Sequence, residues 1–159
     1  MRRVPLHRLS RLAVPCGIAA LVVIGDAWTK AWARAALVDG PRHVVGPLWW
    51  RLSFNAGVSF SLSTSWPTLA ATAEIIALLG VVVVMARIRP GAPAVGCGLV
   101  VGGGVGNLVD RFVSASHHVT DFISVGNFEI FNVADAAITT GVCVLVLVVV
   151  LGRPLLVTR

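Results

Sequence analysis

Long apolar stretches alternate with short polar ones along this chain. Four of the stretches approach the roughly 20 residues a helix needs to cross a bilayer core, at about residues 12–32, 66–86, 92–109 and 134–151. The polar connections differ in kind. Segment 33–65 contains PLWWRLSFNAGVSFSL, in which β-formers, aromatics and serines mix without helical periodicity. It reads as extended structure at a membrane surface, with Trp49, Trp50 and Trp66 as interfacial anchors. Segment 110–133 contains VTDFISVGNFEIFNV, where two β-rich runs flank Gly126-Asn127, a two-residue hairpin signal. With Val125 opposite Phe128, Asp121 falls opposite Asn132 and the ends of the third and fourth spans are drawn together. The expected fold is an all-α membrane protein in one domain, 1–159, with four transmembrane helices and a small extracytoplasmic β-element and hairpin between spans.

Composition agrees with the pattern. Of 159 residues 57% are hydrophobic and 13% charged, against about 25% charged in soluble domains. Mean hydropathy is +0.88. Any chemistry must therefore sit on or between the spans.

The net charge of +6 is spread along the chain, which argues against nucleic acid. Arg2, Arg3, Arg8 and Arg11 precede the first apolar run, Arg87 and Arg89 separate the second from the third, and Arg153 and Arg159 follow the last. By the positive-inside rule these segments face the cytoplasm, so both ends lie inside. Cys16, Cys97 and Cys143 lie singly in apolar runs, without metal-ligand spacing. Cys16 is no lipidation site, because its apolar run follows it rather than precedes it. The adjacent His117 and His118 project differently and make a poor metal pair.

The acids carry the chemistry. Five of the seven, Asp26, Glu74, Asp110, Asp121 and Asp135, fall in or beside apolar runs, where an ionised side chain is costly and marks a candidate functional site. Asp135 has a structural reading, since Asn132 suits an N-cap and an acid three residues on favours the helix dipole. Asp110 lies near a helix C-terminus, where the dipole opposes it, and Arg111 is a local candidate counter-ion. Glu74 is the one acid deep in a span.

Asp110 and Asp135 share the pattern Asn-x-x-Asp, in NLVD (107–110) and NVAD (132–135). Residues three apart share a helix face, so each aspartate gains an amide neighbour. Two carboxylates brought together in a partly dry site share a proton; one then acts as base on water while the other polarises a carbonyl. Two alternatives remain at this level. One is a small proton-coupled transporter subunit with a carboxylate relay, the other a Mg-dependent enzyme acting on a lipid phosphate.

Five ordered segments, DAWTK (26–30), FNAGVSFS (54–61), GGGVGNLVDR (102–111), VTDFI (119–123) and FNVADAAI (131–138), resemble the successive signature blocks of the lipoprotein signal peptidase (signal peptidase II) family. The resemblance covers nearly the whole chain. Two small departures, GVSFS after Asn55-Ala56 and GGGVGN before Leu108, remove no polar group. The resemblance implies an inner-membrane aspartic endopeptidase of bacteria that cleaves the signal peptide from diacylglyceryl-modified prolipoproteins, N-terminal to the lipidated cysteine. It implies Asp110 and Asp135 as the catalytic dyad, Asn107 and Asn132 as orienting residues, and Asn55 and Gly57 as holders of the substrate backbone. Arg111 becomes a structural or substrate-positioning neighbour, Asp121 a support for the loop, and Asp26 and Lys30 members of the first block. It further implies a globomycin-sensitive monomer without metal or cofactor, in contact with substrate and membrane lipid, its site near the outer face.

Overall fold

The computed structural model describes the backbone of residues 6–56, 67–114 and 117–157 and, within these, the side chains of 11–56, 72–114 and 117–157. Its elements run α1 (Leu6–Ala36), β1 (Arg42–Val45), β2 (Leu48–Asn55), α2 (Pro67–Met85), α3 (Ala92–Val113), β3 (Val119–Val125) and α4 (Val133–Val150). Among the described residues three helical segments are long and apolar enough to cross a membrane: Arg11–Ala36, Ala92–Val113 and Val133–Val150. The second expected span falls on α2, whose described apolar stretch is Thr72–Met85. The expected small β-element is present and larger than a hairpin, so the fold is not all-α: its strands form one antiparallel sheet ordered β1-β2-β3.

α3 is the central helix. Two-thirds of its most apolar window, 67%, is buried inside the protein, against 11% for α1 and 22% for α4. Its glycines explain how neighbours approach so closely. Gly98, Gly102 and Gly106 recur every four residues and form one stripe. A Cβ on them would meet Pro15, Ala19 and Asp26 of α1 at 2.7, 2.9 and 2.9 Å. Gly96 and Gly103, a heptad apart, face α4, where a Cβ on Gly103 would lie 2.4 Å from the Ala134 carbonyl oxygen. Small residues at helix contacts stand in for the hydrophobic drive that is missing between helices in lipid. The outward faces are correspondingly apolar: Leu21, Ile24 and Trp28 of α1, Ile76 and Val83 of α2, and Val146 of α4 are exposed.

At one end of the bundle the chain's tail pairs with the α2–α3 turn. Ile88 bridges Leu156, Arg89 N–H donates to the Leu155 carbonyl at 2.9 Å, and Val157 N–H donates to the Arg87 carbonyl at 2.9 Å. Arg87, Arg89 and Arg153 thus gather at the same end.

The sheet caps the other end. β1 and β2 form a hairpin in which Val45 pairs with Leu48 and the chain reverses at Gly46, φ 51°. β3 then joins β2, from Leu48↔Val125 to Asn55↔Val119. Phe122 of β3 packs with Ala33 and Leu37 of α1 and with Trp50; Trp32, Trp50 and Phe122 meet with ring centroids 5.8 to 6.1 Å apart. Trp50 is therefore drawn inward, while Trp49 stays on the surface against His43; Trp66 lies outside the described residues. The predicted hairpin at Gly126-Asn127 turns as expected, with Phe128 N–H bonding to the Val125 carbonyl at 3.0 Å. Its register is one residue off, because Ile123, not Phe122, is bridged to Phe131. The return is a single bridge rather than a strand, since β3 finds its long partner in β2.

Candidate active site

The C-terminal end of α3, the N-terminal end of α4, the last turns of α1 and strand β3 converge on a group of buried polar side chains. Asp26, Lys30, Asn107, Asp110, Asp121 and Asn132 are all buried, so each must be hydrogen-bonded or paired.

α1 supplies one charged face. Asp26, Lys30 and Arg34 are spaced four apart and so align along the helix. Lys30 Nζ lies 2.7 Å from Asp26 Oδ2 and donates to Asn107 Oδ1 at 2.9 Å, with Asp110 Oδ2 at 3.8 Å. Asp26 Oδ1 accepts the main-chain N–H of Ala134 at 2.9 Å. A carboxylate from α1 thereby satisfies one of the orphan donors that begin α4. Gly106 makes room for it.

α4 starts on a capping box. Asn132 Oδ1 accepts the Asp135 N–H at 2.9 Å, and Asp135 Oδ2 accepts the Asn132 N–H at 3.1 Å. The remaining amide protons of Asn132, which is fully buried, go to Asn107 Oδ1 at 3.1 Å and Asp121 Oδ1 at 2.7 Å. Asn107 Nδ2 donates to Asp135 Oδ1 at 2.8 Å. Both Asn-x-x-Asp motifs therefore reach the site, but with a different division of labour from the one expected. Asn107 orients Asp135 across the helix interface rather than its own neighbour Asp110, because a helix-end carboxylate needs charge, which an amide does not supply.

Asp110 obtains that charge from α1. Arg34 Nη1 donates to its Oδ1 at 2.8 Å, and the Thr120 main-chain N–H donates to its Oδ2 at 2.6 Å. Arg111 is not its partner. Adjacent helical residues project about 100° apart, and Arg111 pairs instead with Glu74 of α2. This supplies the role of Glu74, an ion pair between α2 and α3, which hydropathy left open. Lys30 and Asn107 link the two aspartates.

Asp121 accepts from Asn132 and also from Asn55 Nδ2, at 3.1 Å. Burial, reinforced by the charge on nearby Asp135, pushes its carboxyl up to about 6. Asn55 and Asp135 line an open cleft of about 500 Å³, together with Phe128, Phe131 and Thr139. Gly57 lies outside the described residues. Arg34 and Thr120 were missed from the sequence. The signal for Arg34 was its place one turn beyond Lys30 on the same face; Thr120, which donates its main-chain N–H to Asp110 and accepts from Arg34 at Oγ1, left none. In charge and geometry the site suits acid–base work on a water at the edge of a membrane.

Comparison with known proteins is consistent with this. The family model described as signal peptidase (SPase) II matches residues 18–151. A lipoprotein signal peptidase of Rhodococcus jostii is 39% identical over 85% of this chain and 71% of its own length. One of Mycobacterium avium is 37% identical over 89% and 81%. A solved structure of a bacterial membrane enzyme superposes with TM-score 0.75 at 27% identity, covering 86% of this chain and 87% of the other. A second gives 0.74 at 26%, covering 85% and 91%. With a matching model over most of its length and relatives this similar, the chain belongs to the signal peptidase II family of peptidases.

Proposed function

We propose that this protein is a membrane aspartic endopeptidase that cuts diacylglyceryl-modified prolipoproteins on the N-terminal side of the lipidated cysteine, with Asp135 and, in place of the expected Asp110, Asp121 as its dyad. The observation that carries the reading is the convergence of these two carboxylates. Asn132 joins them, its Nδ2 donating to Asp121 Oδ1 and its main-chain N–H to Asp135 Oδ2, and burial together with the charge of Asp135 pushes the Asp121 carboxyl up to about 6. Asp110, by contrast, has both oxygens taken, by Arg34 and the Thr120 N–H. α2 serves as a fourth span, both termini lie in the cytoplasm, and the site faces outward at the bilayer boundary. The substrate's acyl chains stay in the membrane while its peptide enters the cleft beside Asn55 and Asp135. The enzyme works as a monomer and binds globomycin in the same cleft.

The chemistry balances without a further reactant. One aspartate, ionised, takes a proton from water as the water oxygen bonds to the scissile carbonyl carbon. The other, protonated, gives its proton to the carbonyl oxygen, forming a neutral diol. On collapse the first returns its proton to the cysteine nitrogen as the C–N bond breaks, and the second recovers a proton from a diol hydroxyl. Positioned acid–base groups are worth about 10²–10⁴-fold each.

The test is cleavage of a diacylglyceryl-modified prolipoprotein by purified protein in detergent and chelator. Asp121→Asn and Asp135→Asn should each lose at least about 10²-fold while the wild type is unaffected by chelator. Normal cleavage by either variant, or inhibition of the wild type by chelator, would overturn the dyad and reopen the metal-dependent reading.

A further inference from the structure

At the end of the bundle opposite the sheet, two arginines take no part in the chemistry above. Arg89 and Arg153 are far apart in the chain, yet both line one cleft of about 370 Å³, with Gly91, Pro93, Val148 and Pro154. The chain's tail brings them together, laced to the α2–α3 turn by the Ile88–Leu156 bridge and by the main-chain bonds of Arg89 to Leu155 and of Val157 to Arg87. Each arginine is followed by a proline, in Arg89-Pro90 and Arg153-Pro154. A residue before proline is disfavoured in the helical region, and the proline ring fixes its own φ. Both cations therefore stand on stiff, non-helical backbone, and both are exposed.

The chain supplies no counter-charge. Residues 75–106 and 136–159 contain no aspartate or glutamate, and among the described residues neither arginine enters an ion pair. Apolar surface adjoins the cleft instead, since Val149, Val150 and Leu151 at the end of α4 and Val95 of α3 are exposed. Paired cations beside a lipid-facing wall complement an amphiphile with an anionic head. The bland reading is the positive-inside rule, under which arginines only keep this end in the cytoplasm. That rule counts charge in a connection and requires no geometry. Arg87 separates the two readings, because it has the same charge on the same turn and is also exposed, but does not line the cleft.

We infer that the cleft between the α2–α3 turn and the tail is a headgroup site for an anionic phospholipid of the cytoplasmic leaflet, with Arg89 and Arg153 holding its phosphate and its acyl chains running along α4. A guanidinium suits this task because its fork can bond two phosphate oxygens at once. The choice of leaflet rests on the orientation proposed above; the site itself is independent of the dyad.

The experiment places the full chain in phosphatidylcholine nanodiscs containing a minority of phosphatidylglycerol and counts the lipid retained, by native mass spectrometry. Each arginine beside an anionic headgroup is worth roughly five-fold in affinity, so wild type should prefer phosphatidylglycerol by about 25-fold at one site. Arg89→Gln and Arg153→Gln should each leave about five-fold, and the double variant no preference. Arg89→Lys keeps the charge without the fork and should fall between wild type and Arg89→Gln. Arg87→Gln should match wild type, and every variant should melt with wild type in lipid-free detergent. A loss in Arg87→Gln equal to that in Arg89→Gln overturns the inference in favour of diffuse charge. An undiminished preference in the double variant also overturns it, as does a loss that tracks a fall in melting temperature. Free glycerol phosphate should not displace the lipid; displacement would assign the cleft to a soluble phosphate ester and overturn the lipid assignment.

Discussion

Replacing Gly103 by alanine tests whether the glycine face of α3 sets the geometry of the site. The added Cβ would sit 2.4 Å from the Ala134 carbonyl oxygen and 2.6 Å from Ile138 Cγ1. Ordinary contact needs about 3.4 Å or more, so α3 and α4 must separate by roughly 1 Å at this level. The first of those atoms is backbone and has no rotamer through which to retreat. Overpacking of this kind costs about 1–3 kcal/mol, which for a chain of this size lowers the melting temperature by roughly 3–10 °C. The wedge also lies one residue before Asp135 and one turn before Asn107, so the 2.8 Å bond between them stretches beyond hydrogen-bonding distance. Cleavage should fall by about 10²-fold. Gly80→Ala is the control: nothing lies within 4 Å of its Cβ position, and in the interior of α2 alanine is favoured over glycine by about 0.5–1 kcal/mol. Gly103→Ala with the activity and melting temperature of Gly80→Ala would refute the argument that close helix approach positions Asp135.

Three further outcomes are expected. Lys30→Met leaves Asp26 buried without its cation and should cost about 3–5 kcal/mol; in a thermal-unfolding cycle Asp26→Asn should recover part of this, and strict additivity would count against the pair. Asn132→Ala removes a helix cap and strands Asp121 Oδ1, while Asn107 Oδ1 keeps Lys30, for about 3 kcal/mol in all, so unchanged thermal unfolding would contradict the bonding described. Asp121 titrates near 6 in the fold against 3.8 ordinarily, so its ionisation opposes folding at neutral pH. Stability held back above pH 6 is regained as pH falls towards 4, and wild type should gain up to about 3 kcal/mol on Asp121→Asn over that range; a pH-independent difference between the two would negate it.

Much of this was legible because carboxylates are conspicuous in an apolar chain. Asp110 and Asp135 stood out, and hydropathy located α1, α3 and α4. What escaped depends on contacts between distant segments. No local pattern joins β2 to β3, so the hairpin at Gly126 was assigned a partner strand when β3 already had one. Arg34 was overlooked because hydropathy ended the first span near Trp32, whereas α1 continues to Ala36. The exchange of partners by Asn107 followed from a true premise, that i and i+3 share a face, applied within one helix when the nearer need lay on another.

The two aspartates of the proposed dyad stand in opposite relation to the elements that bear them. Asp135 closes a capping box at the start of α4, where folding alone favours an acid. Asp121 is buried on β3, where burial and the charge of Asp135 oppose its ionised form. If a lineage lost its need for this activity, drift would remove Asp121 first and leave Asp135 standing. A relative with only the second acid would then be a folded remnant, and its capping box no sign of surviving chemistry.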